Sequence, residues 1–500
     1  RGLGDVYKRQ DQETVLVTGL PQETKIAFYT GTELMEFRAE RDFAQQLVGN
    51  IYIGKVLRVL PGMQSAFIDI GIEKPAFVHY GDLVENKLFS YEETAIEKVL
   101  YQGQRVWVQV VKEPMGSKGA RVTTQLSLVG RHLVYLPQAD SVWISQHIED
   151  SETKEQLKNR LLALTKGGNG GGYIIRTRAQ KVCDEEFVRD INFLHQCWQE
   201  INEKARLSRA PALIHKELSL PLRLLRDCID ESVDKIVVDS LRLFEEMQEF
   251  ADIFCPKIVA HKLQYRCPSN GQTLFSYYEV EKEIEKALNK EVRLRHGSYL
   301  IIESTETLTT IDVNTGGFVG RNNFEQTVLQ TNLEACRAIA QALRLRNIAG
   351  MVVIDFIAMK NVEHQEEVLR TLAHYLQRDK TRVTLFGFTA LGLVELTRKR
   401  TRPSLATFLL EKCDQCLGSG NKKSVKTVSY QLMHTLYEKA SSHLGDRYII
   451  KGAPEVIAFL QDEGQKGLTA LVQALNLDLI LQSQGDFKRE QYVIEEERHR

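Results

Sequence analysis

The sequence predicts a multidomain α/β protein with a small β-barrel inserted into it, and three observations carry that expectation. At 500 residues the chain is longer than one hydrophobic core covers, so several domains are required. Between 49 and 125, five short runs of strand character are separated by glycine-bearing turns, the pattern of a small sheet closed on itself. Between 299 and 388, short β-branched runs alternate with stretches of helical period, which predicts an α/β layer with parallel strands.

Composition sets the outer bounds. The chain is 43% hydrophobic and 26% charged, with a net charge of −1, so any anion-binding surface has to be local. No apolar run is long enough for a membrane span and no leader is recognisable, which predicts a cytoplasmic protein. Of the eight cysteines, six stand alone and read as reduced core residues, not as a disulfide framework. Residues 1–10 lack an initiator Met and any periodicity. They are set aside as a non-native remnant.

In chain order, 15–37 reads as a short hairpin. The barrel strands follow at 49–59, 65–70, 76–79, 105–111 and 121–125, a number and spacing that suit a barrel of the OB type. Phe67, Phe77 and Lys118 on such a barrel have the chemistry to stack on bases and meet phosphates; aromatic residues filling the barrel core are the other reading. Residues 126–217 have strand and helix signals of their own, with Lys166-Gly-Gly-Asn-Gly-Gly-Gly172 running into Tyr173-Ile-Ile-Arg-Thr177. Consecutive glycines turn backbone N–H groups toward an anion, and Arg176 and Thr177 add a charged fork and a hydroxyl. No Gly-Lys-Ser/Thr follows, so this is not a Walker loop, and a flexible connection is the plainer alternative. The charged stretch 183–210 predicts a solvated surface helix, and 233–283 a small α/β unit without chemistry of its own.

The chemistry concentrates in 299–358. Two strand runs, 299–303 and 308–313, lead into Asn314-Thr-Gly-Gly317. A helix follows with Phe324, Val328, Leu329, Cys336, Ile339 and Leu343 on one face. It stops at Asn347 and Gly350, with Arg344 and Arg346 in its last turn. Then come an apolar run 351–356 broken only by Asp355, a helix around Leu369, Leu372 and Leu376, and a strand at 382–388. Asp312 and Asp355 each fall near the end of an apolar strand, where burial is costly unless a cation pairs with them. Ligand sites in such sheets form at strand carboxyl ends, so the pair suits one Mg²⁺ or Mn²⁺ that keeps waters and bridges to a phosphate. Helix or turn capping by each aspartate is the bland alternative.

Downstream the chain turns basic at Arg398-Lys-Arg-Thr-Arg402 and then presents Cys413-Asp-Gln-Cys416-Leu-Gly. Two thiolates at this spacing suit one Zn²⁺, and with no second pair in the chain a four-sulfur site needs another subunit. A redox pair is the competitor, without the strand–helix context it requires. Residues 421–500 read as a small helical and β tail.

These motifs, in this order, resemble the ribonuclease E/ribonuclease G family of bacterial endoribonucleases, most closely its G-type members. The resemblance runs from about residue 14 to the end. Its sharpest parts are Thr310-Ile-Asp-Val-Asn-Thr-Gly-Gly-Phe-Val-Gly320, Thr331-Asn-Leu-Glu-Ala335, Leu343-Arg-Leu-Arg-Asn347, Val394-Glu-Leu-Thr-Arg-Lys-Arg400 and the cysteine pair. It implies that Asp312 and Asp355 bind magnesium with Asn314 beside them, and that Arg176 and Thr177 hold an RNA 5′-monophosphate, with Val134 and Arg382 lining or supporting that pocket. It further implies that Phe67, Phe77, Lys112 and Lys118 contact RNA, and that Cys413 and Cys416 share a zinc between the protomers of a homodimer. The domains it implies are 11–42 with 223–283 as a ribonuclease-H-like unit, 43–124 as the OB-fold, 125–222 as the 5′-end sensor, 284–408 as a deoxyribonuclease-I-like catalytic domain, 409–424 as the zinc link and 425–500 as a small C-terminal domain. Ala358 stands where many relatives have a second aspartate, and Asp414 where a proline is usual. The long tail of E-type members has no counterpart, which favours the G-type reading.

The expected activity is Mg²⁺-dependent endonucleolytic cleavage of single-stranded RNA, stimulated by a 5′-monophosphate and leaving 5′-phosphate and 3′-hydroxyl ends. The resemblance places it in ribosomal RNA 5′-end maturation and messenger RNA turnover. The alternative is a non-catalytic RNA-binding protein whose aspartates are structural.

Overall fold

The computed structural model describes residues 12–41, 47–83, 95–114, 118–146, 148, 150–165, 170–230, 232–255, 259, 261–267, 272–316, 324–416, 418–441 and 447–497. Residues 1–10, the first four positions of the glycine run and 317–320 of the aspartate motif lie outside them. The chain forms two compact units, Arg1–Ala406 and Thr407–Arg500.

Within the first unit the barrel strands Ile51–Leu60, Ser65–Asp69, Ala76–His79, Arg121–Thr123 and Arg105–Lys112 pair in that order, and the first pairs with the last to close the ring. Ile68, Val78, Val108 and Val122 fill its interior. Gly54 is demanded by closure: a Cβ there would lie 2.5 Å from Ile68 Cγ2 and 2.9 Å from the Asp69 carbonyl.

The N-terminal segment is not a lone hairpin but three antiparallel strands, Glu13–Leu20, Glu23–Thr30 and Glu33–Arg41. The first also pairs in parallel with Val233–Val238, because its residues Val15, Leu16 and Val17 are buried on both faces. The helix Asp184–Leu207 is not a solvated surface helix: Phe187, Ile191, Leu194 and Ile201 lie in a hydrophobic core under the strands Leu133–Leu136 and Gly172–Ile175. Apart from the buried Asp190, its charges line the outer side, an amphipathic pattern masked by the charge count.

The sheet that carries the aspartates runs Glu291–Arg293, Tyr299–Ser304, Leu308–Asn314, Gly350–Asp355, Val394–Arg398, Val383–Phe388. It is mixed, and only Leu308–Asn314 and Gly350–Asp355 are parallel neighbours. The expected parallel succession fails because Val383–Phe388 does not join the central strand. The hairpin partner Val394–Arg398 inserts between them, antiparallel to both. The helices Phe324–Leu345 and Val362–Leu376 cover one face, where Ile339, Leu343, Val368 and Leu372 pack on Ile311, Val313, Val352 and Ile354.

The second unit packs helices Val425–Ala440, Pro454–Gln461 and Gln465–Leu475 with the strands Asp478–Ser483, Arg447–Gly452 and Tyr492–Glu497 around one core. Among the described residues, no helix is long and apolar enough to cross a membrane.

Candidate functional site

The alternation of the two parallel strands decides where their carboxylates point. In Leu308–Asn314 the residues Thr309, Ile311 and Val313 face the helices, which leaves Thr310, Asp312 and Asn314 on the opposite face. In Gly350–Asp355 the same alternation buries Val352 and Ile354 and turns Asp355 outward. Asp312 and Asp355 are direct register partners, so their backbones stand about 5 Å apart with both side chains on one face. The carboxylates are therefore exposed, not buried as the apolar runs suggested. Period-two alternation hid the open face inside sequences that read as uniformly apolar. Asn314 Nδ2 donates to Asp312 Oδ2 over 2.8 Å, which fixes one carboxylate oxygen and leaves the other for a ligand. The capping alternative has no support at Asp312, whose carboxylate accepts from this outward side chain.

The turn that follows Asp355 is held from below. Asn332, fully buried on the helix Phe324–Leu345, donates through Nδ2 to the Ile357 carbonyl at 2.8 Å, and its Oδ1 accepts the Ile357 N–H at 3.1 Å. The Asn in Thr331-Asn-Leu-Glu-Ala335 thus acts as a two-pronged clamp on the backbone two residues after the aspartate. The first residue of the basic run is internal as well: Arg398 forms an ion pair at 2.7 Å with Asp379, their side chains 3% and 5% exposed, and donates to Asn347 Oδ1 at 2.9 Å. Asn347 adopts φ +48° and ties down the Arg402 and Pro403 carbonyls.

A cavity of about 940 Å³ collects Arg176, Thr177 and Arg382, together with Arg178, Lys380 and Lys399. Arg176 donates to the Gly130 carbonyl at 2.5 Å and lies 2.8 Å from Asp227; Thr177 Oγ1 is 3.1 Å from Ser145 Oγ. This floor is organised by Asp190, whose carboxylate accepts the backbone N–H groups of Arg131, His132 and Leu133 at 2.8–2.9 Å. Burial, followed by the charges of Arg131, Arg178 and Arg176, pushes His132 down to about 3, so it stands neutral among the cations. Val134 does not reach the lining: it stands opposite Ile174, which does. Two of the described glycines of the run serve packing, since a Cβ on Gly172 would meet the Ser141 carbonyl at 2.5 Å and one on Gly171 the Tyr135 ring at 2.4 Å, whereas one on Gly170 would meet nothing.

On the barrel, Phe67 and Phe77 lie outside the core cluster, half-buried on the outer surface, which removes the core-filling reading. They are register partners with ring centroids 5.9 Å apart. The pairing extends sideways to Arg58 beyond Phe67 and to Arg121 and then Lys112 beyond Phe77. Five strands thereby contribute one row of cation, aromatic, aromatic, cation, cation. Arg121 is fixed by a bidentate pair with Asp82 at 2.8 and 3.0 Å. Arg58 and Arg121 escaped the sequence reading, although both occupy outward positions of their strands. Lys118 is exposed in the approach to Arg121–Thr123.

In the second unit Cys413 is exposed and Cys416 half-buried. Backbone N–H groups of Gly418 and Gly420, both at positive φ, favour the Cys416 thiolate and lower its pKa, with the Cys413 thiol adding to them. Of the isolated cysteines, Cys228, Cys255 and Cys336 are buried, but Cys183 and Cys267 are exposed and not core residues. Among the described residues no three His, Cys, Asp or Glu side chains gather as a complete metal site. Both pairs therefore offer incomplete ligand sets: two carboxylates suit a hard ion that completes its shell with water and phosphate, and two thiolates suit half of a tetrahedral zinc site.

Comparison with known proteins agrees across the chain. Residues 127–401 match the Ribonuclease E/G family. The chain is 39% identical over 489 residues to ribonuclease G of Salmonella typhimurium, covering 96% of this chain and 99% of that protein. It is 42% identical over 470 residues to ribonuclease G of Haemophilus influenzae, covering 93% of this chain and 95% of that protein. Ribonuclease E of Haemophilus influenzae is 33% identical over 467 residues, which span 92% of this chain and 49% of that protein.

Proposed function

The chain belongs to the ribonuclease E/G family, and from that premise we propose that it is an endoribonuclease whose phosphodiester chemistry takes place at Asp312 and Asp355. The observation that carries the reading is the register pairing of these two residues on the open face of their sheet. The carboxylates would hold a divalent Mg²⁺ or Mn²⁺ there, and the chemistry supplied by such an ion would be activation of a water and neutralisation of charge on the scissile phosphate, with 5′-phosphate and 3′-hydroxyl ends as products. Asn314 orients Asp312, and Asn332 holds the turn after Asp355 in place. Ala358 adds no further carboxylate to that turn.

Single-stranded RNA is the substrate that suits the barrel. Phe67 and Phe77 supply stacking faces, and Arg58, Arg121, Lys112 and Lys118 meet the phosphates. The cleft with Arg176, Thr177 and Arg382 takes a 5′-monophosphate and so raises the effective concentration of the attached chain at the aspartates. Precursor ribosomal RNA and messenger RNA are the substrates this reading names. The OB-fold assignment of the closed barrel, a ribonuclease-H-like identity for the N-terminal sheet and a deoxyribonuclease-I-like identity for the aspartate sheet belong to the same proposal. So does a homodimer linked by one zinc through Cys413 and Cys416 of each copy, with the rest of the second unit as the small C-terminal domain. Asp414, whose carbonyl accepts from Lys488 at 2.9 Å, leaves both sulfurs available.

The test compares 5′-monophosphorylated and 5′-hydroxyl versions of one RNA. Arg176→Gln is expected to slow cleavage of the first at least tenfold more than that of the second, the loss of one charge-assisted contact. Equal losses on both would overturn the 5′-end role, and 2′,3′-cyclic phosphate products would overturn the hydrolytic mechanism.

A further inference from the structure

The first unit holds a second cavity of about 930 Å³, between the turn 30–35, the helix Phe324–Leu345 and the end of the helix Val362–Leu376. Its lining includes Arg295, Arg337, Arg344, His374, Arg378 and Lys380. The three acids of the lining are each met by a cation. Glu33 pairs with Arg337 at 2.7 Å, Glu13 faces Lys380 at 3.8 Å, and Asp379 is held from behind by Arg398 at 2.7 Å.

Arg344 is different. It is 7% exposed and lies on the same helix face as Arg337 and Gln341, spaced by seven and three residues. Among the described residues its guanidinium has no hydrogen-bond or ion-pair partner. Glu36, which feels its charge, already accepts from both Arg38 and Arg402. A guanidinium carries five donors and does not lose its proton, and Arg344 lines the cavity with none of those donors given to a protein acceptor among the described residues. The acceptor that fits a planar fork at the base of a cation-lined cavity is a phosphate.

We propose that this cavity is a binding site for a small phosphate-bearing anion, with Arg344 at its base and Arg295 and Arg337 at its rim. A terminal phosphate or a diphosphate reaches a guanidinium buried to this depth; an internal phosphodiester, flanked by a nucleoside on each side, does not. The site is distinct from the 5′ cleft, although Gln377, Asp379 and Lys380 line both.

Because the two cavities share that wall, the test disables the first. The full chain carrying Arg176→Gln is titrated calorimetrically with pyrophosphate in the presence of a chelator, so that no metal complex forms at the aspartates. Saturable binding is expected. Adding Arg344→Gln weakens it about tenfold or more, adding Arg295→Ala weakens it severalfold, and Arg344→Lys restores part of the loss. Thermal melts of each variant identify any that fails to fold, and the exposed Arg295 decides the matter if Arg344→Gln does. No saturable binding, binding unchanged by Arg295→Ala together with either Arg344 variant, or displacement of pyrophosphate by a 5′-hydroxyl single-stranded RNA would overturn the proposal.

Discussion

Replacing Asn332 with Leu keeps the approximate volume of a fully buried side chain and removes both prongs of the clamp on Ile357. The Ile357 N–H and carbonyl are then left without the partners they have now, and nothing apolar replaces them on the backbone side. Each unmet buried group costs about 1–3 kcal/mol. Partial relaxation toward solvent at the exposed Ala358 brings the pair to about 2–4 kcal/mol of lost local stability. At 1.4 kcal/mol per tenfold, amide exchange at Ile357 should accelerate roughly 30- to 700-fold. The assay is hydrogen–deuterium exchange of the intact chain, read on peptides that cover 351–360, with 302–313 as the internal control. Cleavage should fall with it while RNA binding is kept, because the turn after Asp355 is loosened and the barrel is untouched. Exchange within threefold of wild type at Ile357 would refute the clamp, even if activity dropped.

Two further outcomes follow from local electrostatics. His132 has a folded pKa near 3 against an ordinary value of about 6.5, so between those values the unfolded chain binds more protons than the folded one. Its contribution is fully present above about pH 6.5 and is lost as pH falls toward 3; His132→Gln should flatten the acid limb of a denaturation-midpoint profile by about one proton, and an unchanged limb would contradict the assignment. For the cysteine pair, metal analysis with light scattering should find one zinc per two chains, and Cys413→Ser should remove the zinc and halve the mass. A zinc-free dimer would contradict the shared site.

The parts of the fold that depend on neighbouring residues in sequence were legible. The barrel strands were foreseen within a residue or two at most ends, because alternation and glycine turns are local signals, and the helices of the aspartate sheet were visible as amphipathic stripes. Long-range pairing was not legible. Nothing local in Glu13–Leu20 says that it joins Val233–Val238 in parallel, and nothing in 382–388 says that Val394–Arg398 will come between it and Gly350–Asp355. Burial of charge misled in both directions. Asp312 and Asp355 looked buried and are exposed, while Arg398 and Arg344 sit in basic or polar stretches and are buried. The row from Arg58 to Lys112 shows why sites are harder to see than strands: five residues spread over 58–121 become neighbours only through register.

The central claim is that Asp312 and Asp355 form one catalytic centre. It is tested most directly by incubating a short 5′-monophosphorylated single-stranded RNA with Mg²⁺ and wild type, Asp312→Asn or Asp355→Asn, and measuring cleavage and binding side by side. Internal cleavage by wild type, with both variants binding RNA at near wild-type affinity and cutting at least a hundredfold more slowly, is the predicted result. Cleavage by either variant at the wild-type rate, or wild-type cleavage that survives a metal chelator, would contradict it.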